Sequence, residues 1–140
     1  MTGLDQTPAF GPVAELHVIL VGGRTIARLN RTFLGQVGQT DVLAFALGAS
    51  PPPAAAAGGE VYVCLPVAVA AAARYRTSVA HECVLYAVHG MLHLAGFDDG
   101  DALGRQAMRR AERRVLRRLR EKVDFGAIFG ESLAPPDPAA

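Results

Sequence analysis

Apolar residues along the chain fall into short runs separated by glycine, proline and charge, and the period changes from run to run. Residues 15–21 (ELHVILV) are apolar without a break from Val18 to Val21, which predicts a buried central strand. Gly22 and Gly23 turn the chain, and Ile26, Leu29 and Phe33 then recur at i, i+3 and i+7, the spacing of one helical face, over 25–33. A loop at 35–38 leads to a second strand at 41–47 (DVLAFAL), ended by Gly48. Residues 50–59 (SPPPAAAAGG) are low in complexity and bounded by Pro and Gly, so a flexible surface loop is expected there. A third strand follows at 60–65 (EVYVCL).

Pro66 stands where the first turn of a helix tolerates it, and an Ala-rich helix continues over 67–74. Thr77 or Ser78 can cap the next helix, which runs to about Leu94 and stops at Gly96. A last helix is expected over 102–123. Residues 1–12 and the Gly-, Pro- and Ala-rich stretch 126–140 are expected to be flexible tails. No internal repeat is present. The elements add up to a single α+β domain over 13–125, a small mixed β-sheet with helices packed on it.

Composition changes this picture little. The chain has 140 residues, 51% of them hydrophobic, enough for one domain with a core. Its longest apolar stretches, 61–73 and 84–95, are shorter than the ~18 residues of a membrane span, and no basic start followed by an apolar run marks residues 1–12 as an export signal. A cytoplasmic protein is expected. Cys64 and Cys83 form no CxxC pair and read as buried thiols in a reducing compartment. The formal net charge is only +1, but its distribution is uneven: Arg105, Arg109, Arg110, Arg113, Arg114, Arg117, Arg118, Arg120 and Lys122 crowd into the last helix. That density suits either a solvated helix face or contact with an RNA backbone.

The chemistry lies in residues 89–99, HGMLHLAGFDD. Four residues of helix turn through about 400°, so His89 and His93 face the same way from successive turns and can share one ion. Gly96 breaks the helix by accepting the left-handed conformation, and Asp99, three residues on, is in position to return as a third ligand. Three protein ligands leave an open coordination position, as catalytic zinc sites do. The helix is otherwise apolar (Val84, Leu85, Val88, Leu92), where two histidines are costly unless satisfied. Asp98 competes with Asp99 for the ligand role and could equally cap the last helix. Glu82 lies about 10.5 Å upstream of His89 by helical rise, too far to ligate, which leaves it a supporting or RNA-contacting role or a salt bridge. His17 and His81 are read as structural.

This run resembles the H-G-x-L-H-L-x-G-Y-D-H motif of the YbeY family, bacterial endoribonucleases of ribosomal RNA maturation. The likeness extends to Leu29-Asn30 before Phe33, to Thr40-Asp41-Val42-Leu43 with Phe45, to Gly59-Glu60-Val61, to His81-Glu82, and to Met108 and Glu112, so it spans about residues 15–123. The resemblance implies a single-strand-specific, metal-dependent endoribonuclease acting in ribosomal RNA maturation and ribosome quality control. It further implies one Zn2+ per chain and ribosomal RNA and the small ribosomal subunit as partners. Three positions depart from the family pattern: Asp99 replaces the third metal histidine, Leu34 replaces an arginine, and Ala44 replaces a serine. A carboxylate ligand lowers the Lewis acidity of the ion and admits harder divalent metals. Loss of the arginine removes a guanidinium able to hold a phosphate, and Arg31, one turn earlier, is a substitute; Arg113 and Arg117 are further RNA-contact candidates.

No separate catalytic side chain is assigned beyond the activated water. Zinc proteases of similar spacing place a Glu directly after the first His as general base, and Gly90 stands there, which disfavours peptide hydrolysis. Two His and one carboxylate also serve metal oxygenases, but these short strands promise too small a scaffold. The remaining alternative is a non-catalytic RNA- or ribosome-binding assembly factor with a structural metal.

Overall fold

A computed structural model describes residues 10–47 and 56–129. Three strands, β1 (Phe10–Val21), β2 (Val42–Leu47) and β3 (Ala56–Cys64), form one mixed sheet in the order β1-β3-β2, with β3 parallel to β1 and antiparallel to β2. Five helices accompany them: α1 (Gly23–Leu34), α2 (Leu65–Tyr75), α3 (Val79–Leu94), α4 (Ala102–Lys122) and α5 (Phe125–Phe129). The expected α+β class and small mixed sheet are those observed.

β1 is an edge strand, not the central one its unbroken apolar run predicted. Leu16 and Leu20 pack toward the cluster shared with α2 and α3, whereas Val21 packs toward Ile26 of α1, so both faces of the strand are used. Hydrophobicity reports which faces are covered and is silent on where the backbone hydrogen bonds go. The central strand is β3, whose Val61 and Val63 have no exposed surface and pair with Val18 and Leu20 on one side and Ala44 and Val42 on the other.

Four further expectations shift. Residues 10–12 belong to β1 rather than to a tail, and 56–59 begin β3 rather than end a loop. Leu65 opens α2 rather than closing β3. Residues 126–129 continue the short α5, whose Phe125 is buried among Ala80 and Val84. The tail segments 1–9 and 130–140 and loop residues 50–55 lie outside the described residues.

α3 is the hub. Val79 and Cys83 enter the core shared with β3 and α2, while Val84, Val88 and Leu92 enter a second core with Met108 and Ala111 of α4. A helix apolar nearly all round can only sit between two layers. Ser78 caps it, its hydroxyl accepting from the backbone N–H of His81 at 3.0 Å. Both cysteines are buried free thiols, as expected; burial pushes Cys83 up to about 11.

Candidate metal centre

Past the first turn of α3, with its His81 and Glu82, the apolar sequence is interrupted by His89 and His93. One helical turn apart, they bring their Nε2 atoms to 3.1 Å, with the rings at 78°. Past Leu94 the helix closes in a Schellman turn: Phe97 N–H donates to Leu92 O at 3.0 Å, and Gly96 takes φ 104°. Phe97 packs back onto the core that holds Leu92, which fixes the direction of the reversed chain. Two residues later Asp99 returns over the same face, Oδ2 at 3.5 Å from His89 Nε2 and Oδ1 at 3.6 Å from His93 Nε2.

The donor triangle, with one atom from each side chain within 4.8 Å of the others, is of the size an ion requires. Tetrahedral ligands at zinc-like bond lengths lie roughly 3.3 Å apart. The histidine tautomer agrees. His89 Nδ1 meets Glu112 Oε2 of α4 at 2.5 Å, so the proton sits on Nδ1 and the Nε2 lone pair faces His93 and Asp99. The bond to Glu112 holds the His89 pKa above its ordinary 6.5, against the opposing effect of burial and with help from the Asp99 and Asp41 charges. The residues present therefore fit a divalent cation.

Glu112 was not singled out as a site residue from sequence. Its signal was available: it is the one acid between Arg105 and Arg120, and it stands on the α4 face that carries Met108, Ala111 and Val115.

His89, Asp99 and Glu112 line a cleft of about 440 Å³ between α3 and α4, together with Asp41, Tyr86, Arg105 and Arg109. Tyr86 is pushed up to about 12, chiefly by burial and then by the Glu82 and Asp41 charges, so its phenol stays protonated. Neither Arg31 nor Leu34 of α1 lines this cleft, and the guanidiniums at its wall come from α4. Arg113 and Arg117 line a separate cavity with His81 and Arg120.

The remaining expectations resolve individually. Asp98 is exposed and accepts from Gly100 N–H at 3.0 Å; the cap of α4 is Asp101, which accepts from Gly104 N–H at 2.7 Å. Glu82 is 4% exposed and accepts from Thr77 Oγ1 at 2.7 Å, a bond within the helix start rather than a cleft contact. His81 accepts at Nδ1 from Arg120, a tertiary link consistent with its structural reading. Among the described residues no helix is long and apolar enough to cross a membrane.

Comparison with known proteins supplies what geometry cannot. The family model described as Endoribonuclease YbeY matches residues 3–120. The Endoribonuclease YbeY of Salinibacter ruber is 38% identical over 74% of this chain and 69% of its own length. That of Moorella thermoacetica is 39% identical over 74% and 71%, and that of Pelotomaculum thermopropionicum 38% over 81% and 78%. The match runs through β1, the sheet, the run from His89 to Asp99 and nearly all of α4, and by it the chain belongs to the Endoribonuclease YbeY family.

Proposed function

We propose that this chain is a metal-dependent endoribonuclease whose ion is held by His89, His93 and Asp99, with Glu112 orienting His89. The observation that carries the reading is the convergence of these three donors, two of which line a cleft walled by Arg105 and Arg109. Held by His89, His93 and Asp99, a divalent cation would supply Lewis acidity for phosphodiester hydrolysis there. The chain's own groups do the rest. Arg105 and Arg109 place positive charge where the phosphate and its developing negative charge must lie, the part the absent family arginine would have played at Leu34. Tyr86, kept protonated, is a neutral donor at the wall. Glu112 keeps the His89 proton on Nδ1 and its lone pair on the ligand side.

Zinc is the ion proposed, one per chain; the carboxylate of Asp99 leaves room for a harder divalent metal. The proposed substrate is single-stranded ribosomal RNA, cut during its maturation and in ribosome quality control, with the small ribosomal subunit as partner and the cytoplasm as compartment.

The test is cleavage of a single-stranded RNA by the metal-loaded chain, with metal content quantified, beside H89A and H93A. Wild-type cleavage that EDTA abolishes and a divalent ion restores is expected, with both variants inactive. A fully loaded wild type that cuts no RNA would instead favour the assembly-factor alternative.

A further inference from the structure

α4 spends eight arginines on 21 residues, and among the described residues none of them has a carboxylate within ion-pair distance. Among the described residues they therefore form no salt-bridged surface. Uncompensated like charges at i, i+4 spacing repel, so their ordering is informative. Arg105, Arg109, Arg113 and Arg117 follow one another at intervals of four, and Arg120 falls three further on. At 100° per residue these five occupy one stripe roughly 120° wide, immediately beside the buried face of Met108, Ala111, Val115 and Leu119. Arg110, Arg114 and Arg118 form a second row about 120° further round, toward the other flank of the buried face, and line neither cavity.

The first row joins two cavities. Arg105 and Arg109 line the metal cleft, and Arg113, Arg117 and Arg120 line the cavity of about 600 Å³ at the other end of α4, next to His81. Glu121 shares that second cavity without pairing with any of the three. Arg120 is held in place there. It donates to His81 Nδ1 and its guanidinium carbon lies 5.6 Å from the Phe125 ring centre, so little ordering cost remains when it meets an anion.

We propose that this one row is a track for a single RNA strand, gripping successive phosphates from the metal cleft to an anchoring cavity at Arg113, Arg117 and Arg120, and that the second row takes no part. The proposal rests on the nuclease reading for the identity of its ligand. Fifteen residues of helical rise make the track about 22 Å long, which is roughly six nucleotides at the ~3.4 Å spacing of a stacked strand and fewer when the strand is extended. Its contacts are to phosphate, so it sets the length of strand bound and leaves base sequence unread.

The experiment measures affinity of the metal-loaded full chain for nuclease-resistant 2′-O-methyl oligouridylates of two to twelve nucleotides across a salt series. Wild-type affinity should rise with length and level off near six. R117Q/R120Q should bind the dinucleotide like wild type, bind the nine-mer about tenfold more weakly, and level off at a shorter length. Its log–log salt slope should fall by about 1.4, two contacts on a single strand. R113Q/R117Q, which leaves the Arg120–His81 contact intact, should behave likewise, and R114Q/R118Q should match wild type. Equal losses from the two rows, or no dependence on length, overturns the track. If that happens while cleavage persists, the nuclease reading survives. If the loaded chain cuts nothing yet shows the row-specific, length-dependent binding, the nuclease reading fails and the track stands. Absence of RNA binding at every length overturns the track outright.

Discussion

His89 Nδ1 and Glu112 Oε2 meet at 2.5 Å although 23 residues separate them in sequence, and this contact joins the helix of the His89/His93 pair to the basic one. E112Q removes the charge while keeping an amide oxygen that can still accept the N–H. Apparent metal affinity should fall about 10–100-fold, read by competition with a chromophoric chelator. The pH dependence should move as well. Glu112 raises the His89 pKa, so in wild type protons begin to compete with the ion above pH 6.5, and affinity declines as pH falls through that window. In E112Q the decline should begin at lower pH. An unchanged affinity and pH profile would show that Glu112 does not orient the ligand.

Exchanging the anionic ligand for a neutral one tests the cleft's chemistry. D99H raises the net charge at the ion, which should shift the onset of RNA cleavage to lower pH and tilt metal preference toward zinc. A pH–rate profile of both forms, each with metal content quantified, decides it; a shift to higher pH would contradict the assignment of Asp99 as a ligand.

Arg109 should act on the phosphate and leave the ion alone. R109Q is expected to lower kcat/KM for single-stranded RNA by ~10²–10³ with unaltered metal affinity. A loss confined to metal binding would place Arg109 outside the substrate path.

His81 makes a separate prediction about stability. Burial first, and then the Arg120 charge, lowers its pKa below 6.5, with Glu82 opposing. The unfolded chain therefore binds a proton at His81 that the folded chain resists. Stability from this site is full above pH 6.5 and declines as pH falls from there through the folded-state pKa. Denaturant midpoints of wild type and H81N between pH 5 and 8 should converge toward acid, the variant losing less. Parallel curves would mean that His81 titrates alike in both states.

What the sequence revealed divides along physical lines. The i, i+4 histidines and the Gly96 break are local features, and local geometry carried Asp99 to its observed place without any knowledge of the fold. The cap of α4 was misjudged because Asp98, Asp99 and Asp101 compete within four residues, and only backbone geometry separates them. Arg105 and Arg109 escaped because their place depends on how α4 lies against α3, which no periodicity within α4 encodes; Glu112 could be read as an acid on the apolar face of α4, but not which residue of α3 it meets. The placement of β1 at the sheet edge failed for the same reason: strand order is a tertiary property.

Gly90 is usually noted for what it lacks, but its surroundings explain why nothing larger stands there. A Cβ at this position would come within 2.8 Å of Val61 Cγ1 and 3.3 Å of Val42 Cγ2, because α3 rests on the sheet through this residue. A side chain introduced at 90 would be driven against two valines of the sheet, and the helix would have to lift to admit it. The neighbouring sequence space that leads toward peptide hydrolysis is thus barred at its first step by close packing. Reaching that chemistry from this scaffold would require a new seat for the helix on the sheet.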